Sequence, residues 1–359
     1  MKRKKIIKRF LLLLLIVTLV IGGYLIYLFT DYYRLEDHLP LSVTNNQSDI
    51  LTTGEPYRLI SWNIGFGAYE SDYGFFMDGG TESWAWSEAR LLDNLDAIST
   101  LLAKQNADFL CVQEVDTDST RSYHVDEANH LVNGLSDRYA SVWAQNYDSP
   151  FLFYPFTQPH GKSVAGLMTL SRYQLSDSIR HSLPVETGFM KLVDLDRCYS
   201  VTRIPVDNGK MLCLYNLHLS AYSSDGSIAD TQIKQLLTDA QTEYDAGNYV
   251  VCAGDFNKDL LGDSSAYFGI SGEDYTWAQA FPFDLIPDTL SLIAPLDKES
   301  PVPSCRNADG PYSDEQFVLT IDGFLVSPNV TVSSSSVIDT EFAYSDHNPV
   351  ALCFTLGSE

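Results

Sequence analysis

Residues 10 to 30 form a run of 21 residues without a charge, from Phe10 to Thr30. At about 1.5 Å rise per residue, a helix over this run spans roughly 31 Å, the thickness of a bilayer's hydrocarbon core. Directly before it lie Lys2, Arg3, Lys4, Lys5, Lys8 and Arg9, with no acidic residue among the first thirty. The positive-inside rule then expects residues 1–9 in the cytoplasm, a single membrane pass over 10–30, and the rest of the chain outside the cell membrane. A cleavable signal peptide is the rival reading. Its apolar core is shorter and ends in small residues, whereas this run ends Tyr24-Leu25-Ile26-Tyr27-Leu28-Phe29 and favours a retained anchor. A buried soluble helix is disfavoured because the segment has no polar face.

Residues 31–56 read as a linker. They are polar, carry Pro40, Asn45-Asn46 and Gly54-Glu55-Pro56, and show no sustained periodicity. Residues 57–359 then form the body, with neither a second linker nor an internal repeat. Beyond residue 30 there are 17 basic residues against 47 acidic ones, a net charge of −30. A body that acidic repels polyanions at long range, which argues against binding long nucleic acid through a basic surface. Six cysteines in 359 residues are too few for a disulfide scaffold. Cys111, Cys213, Cys252 and Cys353 sit inside apolar runs and read as small core residues. No Cys-x-x-Cys spacing suggests zinc.

The body alternates short apolar runs with helix-period segments. The runs include Arg58–Asn63, Phe109–Glu114, Met211–His218, Val250–Asp255 and Val350–Phe354. Their length and Val, Ile and Cys content suit buried strands. Leu91, Leu92, Leu95, Ile98, Leu101 and Leu102 place one helical face within 89–104, and Ile233, Leu236, Leu237 and Ala240 another within 230–244. The mixture predicts an α/β layered domain.

Polar groups collect where these runs end. Asn63, Glu114 and His218 end three of them, and Asp255 with Asn257 ends a fourth. Asp322 lies within Leu319–Val326, and Asp346-His347 precedes the last strand. A carboxylate at the end of a buried strand is costly unless it is paired or ligates a cation. Carboxylates, carboxamides and histidines meeting at one sheet edge make an oxygen-rich site of the kind hard cations such as Mg²⁺ prefer. Hydrolysis of a phosphoester uses that combination of a cation with acid and base groups.

The motifs Ser61-Trp62-Asn63-Ile64, Gln113-Glu114-Val115, Asn216-Leu217-His218-Leu219, Gly254-Asp255-Phe256-Asn257, Ile321-Asp322-Gly323 and Ser345-Asp346-His347-Asn348-Pro349-Val350 appear in this order. Their succession resembles the endonuclease/exonuclease/phosphatase superfamily, the fold of pancreatic deoxyribonuclease and bacterial sphingomyelinase. Gly166–Arg172 is similar to that family's mid-chain strand. The resemblance covers residues 57–357. It implies a four-layer α-β-β-α sandwich, two packed sheets flanked by helices. It also implies Glu114 as the main Mg²⁺ ligand with Asn63 and Asp346 beside it, Mn²⁺ or Ca²⁺ being alternatives. Asp255 would position or deprotonate the attacking water, and Asn257 would hold the phosphate. His347, oriented by Asp322, would serve as acid/base or phosphate stabiliser, and His218 would stabilise the transition state. The histidine at 218 is similar to the deoxyribonuclease and sphingomyelinase branches and unlike abasic-site endonucleases.

Substrate clues are fewer. An aromatic, Gly-rich segment runs from Gly65 to Trp86, and 147–160 is a second aromatic stretch expected at the rim of the site. The first reads as a lid, a lipid-facing wedge, a sugar platform or a self-packed loop. Arg121 and Arg172 are candidate phosphate contacts, with a plain salt bridge as the alternative for each. The leading expectation is a Mg²⁺-dependent phosphodiesterase or phosphatase acting on a lipid-type or small phosphoester next to the membrane. A membrane-tethered nuclease and a catalytically silent binding protein on the same fold are the alternatives.

Overall fold

A computed structural model of the 359-residue chain describes residues 2–135, 137–185, 196–221, 227–272, 275 and 277–358. The apolar runs of the body become strands of two large sheets. In the six-stranded sheet the order is β14 (Val330–Val337), β15 (Val350–Leu356), β2 (Pro56–Asn63), β3 (Phe109–Asp116), β5 (Val164–Ser171) and β4 (Ala140–Asp148). In the seven-stranded sheet it is β1 (Leu39–Pro40), β6 (Asp177–Ser182), β7 (Cys198–Pro205), β8 (Met211–His218), β9 (Tyr249–Asp255), β13 (Asp322–Val326) and β10 (Ser291–Ile293). A short pair, β11 (Cys305–Arg306) and β12 (Val318–Leu319), stands apart. The helices are α1 (Lys2–Asp31), α2 (Glu88–Lys104), α3 (Glu127–Leu135), α4 (Ser227–Asp245) and the short α5 (Ser265–Phe268).

Strand alternation builds the layers. Leu59, Phe109 and Cys111 face Leu212, Leu214, Val251 and Phe324 in a core between the sheets. Their neighbours Ile60, Trp62, Leu110 and Val112 point the other way, onto Leu91, Leu95, Ile98 and Leu102 of α2. Cys213, Tyr215, Val250 and Cys252 likewise meet Ile233, Leu236 and Ala240 of α4. The period-2 pattern of buried strands and the 3.6 pattern of the helices thus close a helix–sheet–sheet–helix sandwich. Cys111, Cys198, Cys213, Cys252 and Cys305 are buried and free, and Cys353 is half-buried.

Topology decides which strand ends meet. Strands β2 and β3 run parallel, as do β8 and β9, so Asn63, Glu114, His218 and Asp255 fall at the same end of the sandwich. β13 and β15 are antiparallel to β9 and β2, so the starts of β13 and β15 lie at that end too. Asp255 is in register with His218 on one side and Asp322 on the other. Beneath them Gln113 Nε2 donates to Asn216 Oδ1 across the sheets (2.8 Å), and Asn216 Nδ2 donates to the Met168 carbonyl (3.0 Å). Gly254 has φ +152°, and a Cβ there would lie 2.0 Å from the Leu217 carbonyl oxygen. Glycine therefore lets β9 press against β8 just before Asp255.

The uncharged run lies within α1, which is long and apolar enough to cross a bilayer and is almost wholly exposed. The stretch 31–56 lacks a long element, as expected, but it is not a free tether. Leu39–Pro40 pairs with β6, Thr44 bridges to Ser141, and Leu51 bridges to Val206 with its side chain fully buried.

Candidate active site

The strand ends enclose a cavity of about 230 Å³. Asn63, Glu114, His218, Asp255, Asn257, Asp346 and His347 line it. Asp322 stands directly behind His347, its Oδ2 2.8 Å from the ring Nδ1. Ser304 Oγ donates to the same carboxylate oxygen (2.8 Å), so Asp322 is held from two sides.

Asn63 ties two carboxylates together. Its Nδ2 donates to Glu114 Oε1 and to Asp255 Oδ2, both at 3.1 Å, and its Oδ1 accepts from Gly65 N–H. Glu114 sits at an irregularity in β3, where the register with β5 shifts between Val112 and Val115, and has φ +54°. That kink turns its carboxylate into the cavity; such bulges often re-aim a side chain at a site. Asn257 is also left-handed, at φ +51°. Its N–H donates to Asp255 Oδ1 (2.8 Å) and its Nδ2 to the Leu219 carbonyl (2.8 Å). The 344–349 turn is pinned to β2: Trp62 Nε1 donates to the His347 carbonyl (2.8 Å), and Ser345 Oγ to the Asn63 carbonyl (2.8 Å).

Asp255 is the hub. Its Oδ2 lies 3.5 Å from His218 Nε2 and 3.8 Å from His347 Nε2. Burial raises its pKa, opposed by His347 and reinforced by Asp322. The two histidines are driven apart. Burial, with the positive charge of Arg197, His347 and Arg121, holds His218 well below the usual imidazole range, so it is neutral. Burial also works against a charged His347, but Asp322, Cys305 and Asp346 outweigh it and hold the ring well above that range. The site therefore presents one imidazolium and one neutral imidazole beside a carboxylate of raised basicity.

The donor set suits a hard cation. Asp346 is half-buried, and its pKa rises to about 6, through desolvation first and then in part the nearby Glu114 charge, which acts against the pull of His347. Like charges crowded at one cavity call for a counter-charge, and Glu114, Asp346 and Asn63 offer oxygen atoms that could ligate one. A different set of ligand-type atoms, Asp255, Asp322 and His347, also lies close together, all within 4.8 Å. Its His347 is already engaged by Asp322 in a charge-assisted hydrogen bond, which accounts for that cluster without a metal.

Two sequence expectations need correction. Arg172 is not at the site. β5 runs antiparallel to β3, so the residue following Ser171 lies at the opposite end of the sandwich, where its Nη2 donates to Asn106 Oδ1 (2.7 Å). Arg121 does reach the cavity wall, but its Nε and Nη2 donate to the two Asp116 carboxylate oxygens (3.0 and 2.8 Å) and Phe66 stacks beneath it at 4.0 Å. It is a buried structural pair rather than an open phosphate contact. The aromatic segment from Gly65 is self-packed: Phe66, Tyr69, Tyr73 and Phe75 are buried against one another, and Tyr69 and Phe75 floor the cavity. The 147–160 stretch is a rim, as expected, through Tyr147 and His160. Sequence reasoning missed Asn146, Arg197, Cys305 and Arg306, which also line the cavity. None ends a motif-bearing strand, so only the folded chain brings them in. Arg306 is buried, donating to the carbonyls of Glu70, Tyr73 and Gly310.

Comparison with known proteins agrees with the geometry. The sequence profile of the Endonuclease/Exonuclease/phosphatase family matches residues 60–347. Among solved structures, the chain is similar to an endonuclease/exonuclease/phosphatase from Beutenbergia cavernae, with a TM-score of 0.57 and 18% identity over 84% of this chain and 72% of that one. It is also similar to ANGEL2, a 2',3'-cyclic phosphatase solved with adenosine-2',3'-vanadate, at TM-score 0.56 and 16% identity over 89% of this chain and 99% of that one. The human Nocturnin catalytic domain, with a bound sulfate anion, gives 0.53 and 18% over 88% and 97%. No curated protein matches by sequence. With a profile match across most of its length, and the matching fold and strand-end residues, this chain belongs to the endonuclease/exonuclease/phosphatase family.

Proposed function

We propose that the chain is a phosphoester hydrolase that uses a divalent cation, Mg²⁺ in the first instance, and is held in the cell membrane by α1 with its catalytic domain outside. The observation that carries the catalytic reading is the convergence of Asn63, Glu114, His218, Asp255, Asn257, Asp322, Asp346 and His347 on one cavity from separate strand ends. Glu114, Asp346 and Asn63 would hold the cation, which when bound neutralises phosphoryl charge. Asp255, buried and of raised pKa, accepts the proton of the attacking water. The cationic His347 faces the charge that develops on the phosphoryl group, and Asp322 fixes its ring. Neutral His218 donates from Nε2, and Asn257, locked through its backbone to Asp255, orients the phosphate.

The substrate is a small or lipid-borne phosphoester. A net charge of −30 beyond residue 30 disfavours long nucleic acid, and an α1 that crosses a bilayer would keep the cavity near it. The test uses the full chain in detergent micelles with bis-p-nitrophenyl phosphate, sphingomyelin, phosphatidylinositol phosphates and plasmid DNA, each with Mg²⁺ and with a chelator. Turnover that needs the cation and falls at least about 10²-fold in Asp255→Ala and His347→Ala is expected. Preference for plasmid DNA would replace the substrate reading with a nuclease. Folded protein with no Mg²⁺ binding and no turnover would leave a silent binding protein.

A further inference from the structure

The rim of the cavity carries a feature that catalysis does not use. Phe151-Leu152-Phe153-Tyr154-Pro155-Phe156 is a run without a charge, outside the membrane-length segment. It forms the outward arm of a small hairpin. Leu152 and Gly161 exchange both backbone hydrogen bonds (2.9 and 3.0 Å), and Gln158 N–H donates to the Pro155 carbonyl (3.1 Å). Phe153, Tyr154 and Phe156 are 50, 63 and 84% exposed. Three adjoining aromatic side chains left out of the core mark a contact surface rather than scattered surface residues.

The occupant is indicated by what holds the hairpin. Tyr24 Oη of α1 donates to the Phe151 carbonyl, and Phe151 N–H donates to Tyr27 Oη, both at 2.9 Å. The Tyr24 ring meets Phe153 edge to face at 4.9 Å. Tyr24 lies six residues before Thr30, about 9 Å back along the helix from the end of the apolar run. A bilayer crossed by α1 therefore reaches the base of the hairpin, within the roughly 5–10 Å to which interfacial apolar surfaces sink below the headgroups. The hairpin's other side belongs to the cavity. Tyr154 touches Phe76 (5.8 Å between centroids), Phe76 touches His160 (5.9 Å), and His160 lines the cavity beside Met77, which is 62% exposed.

We propose that the 151–160 hairpin is embedded in the bilayer interface and holds the mouth of the cavity at headgroup level, so that the substrate is the phosphoester headgroup of a membrane lipid. This rests on the anchor and phosphoesterase readings above and names the substrate class they serve. Attraction comes from the aromatic tip, since the domain is strongly acidic and gains nothing from anionic lipid.

The test places an environment-sensitive fluorophore on the full chain in phosphatidylcholine vesicles, through Phe156→Cys, Leu13→Cys within α1, or Ser334→Cys on the exposed far edge strand. Lipids with a nitroxide near the top of the acyl chain should quench Phe156→Cys by about half and leave Ser334→Cys unchanged. Quenching at 13 without quenching at 156 overturns the hairpin contact while the anchor stands. Absence of quenching at 13 overturns the anchor, and quenching at 156 then decides the hairpin by itself. Substrate class is read with Phe153→Ser/Phe156→Ser. Turnover of vesicle-borne sphingomyelin or phosphatidylinositol phosphates should fall about tenfold while that of soluble bis-p-nitrophenyl phosphate holds, because only the former is presented at the interface. Equal loss on both, or wild-type turnover of the soluble ester alone, overturns the lipid-headgroup assignment. No wild-type turnover on either overturns the phosphoesterase reading and leaves the quenching result intact.

Discussion

Asp322 touches no substrate atom in the proposed reaction, yet His347 depends on it. The carboxylate lies 2.8 Å from Nδ1 and is among the groups that keep the ring charged against burial. In Asp322→Asn the ring loses its anionic partner and its orientation. Turnover is expected to fall about 10²–10⁴-fold, with little change in KM, and the double variant with His347→Ala should be no worse than His347→Ala alone. Full additivity of the two losses would show that Asp322 does not act through His347. His160 supplies a second residue-level outcome. Its ring nitrogens pair with the Ser83 and Ser163 hydroxyls (3.3 and 3.4 Å), and burial, with Arg121, depresses its pKa from 6.5 to about 3. The unfolded chain thus binds this proton from about pH 6.5 downward while the folded chain refuses it until about pH 3. The stability it contributes is complete above 6.5 and is lost as the pH falls toward 3, with a slope approaching about 1.4 kcal/mol per pH unit. Denaturant unfolding of wild type and His160→Gln at pH 7.5 and 5 should show this difference, the variant losing less; parallel pH dependences would contradict it.

At the scale of elements, strands and their terminal motifs were legible because each combines an unbroken apolar run with a polar stop. The helices expected at 89–104 and 230–244 appear as Glu88–Lys104 and Ser227–Asp245, since one apolar face at helical spacing is enough to define each. Nine of the ten candidate site residues meet at the cavity or directly behind it, Arg121 among them only as the partner of Asp116. The two arginines failed for different reasons. Arg172 depends on strand direction, which no local pattern encodes, and Arg121 depends on Asp116 only five residues earlier, a pairing no different in sequence from any surface ion pair. The 31–56 segment failed as a linker because it is held by isolated contacts with no period. Leu51 is the clearest of these: its N–H donates to the Pro205 carbonyl (2.9 Å), and its side chain is fully buried in the core between the sheets. Leu51→Ala is expected to cost about 2–4 kcal/mol in urea unfolding of the folded body, as for a buried core leucine. A cost within about 0.5 kcal/mol, the range of surface substitutions, would restore the linker reading.

For the whole molecule, charge is the dominant long-range term. A net of −30 beyond residue 30 makes the folded domain repel itself, and part of that repulsion is concentrated where Glu114, Asp255 and Asp346 share one cavity. Two kinds of cation effect follow, and they can be separated. Monovalent salt screens the diffuse repulsion, so NaCl should raise Tm by a few degrees, roughly in step with ionic strength. A divalent cation held by Glu114, Asp346 and Asn63 adds a term that grows with its occupancy, about 2.7 kcal/mol at a hundred times Kd. For a domain of this size that is roughly 4 °C. MgCl₂ at matched ionic strength should therefore stabilise the full chain beyond NaCl. Glu114→Gln should abolish that excess and keep the NaCl response, because removing one charge of so many hardly alters the diffuse field but removes the proposed principal ligand. Identical shifts with the two salts in wild type would mean that the strand-end carboxylates do not bind Mg²⁺, and would remove the cation from the proposed chemistry.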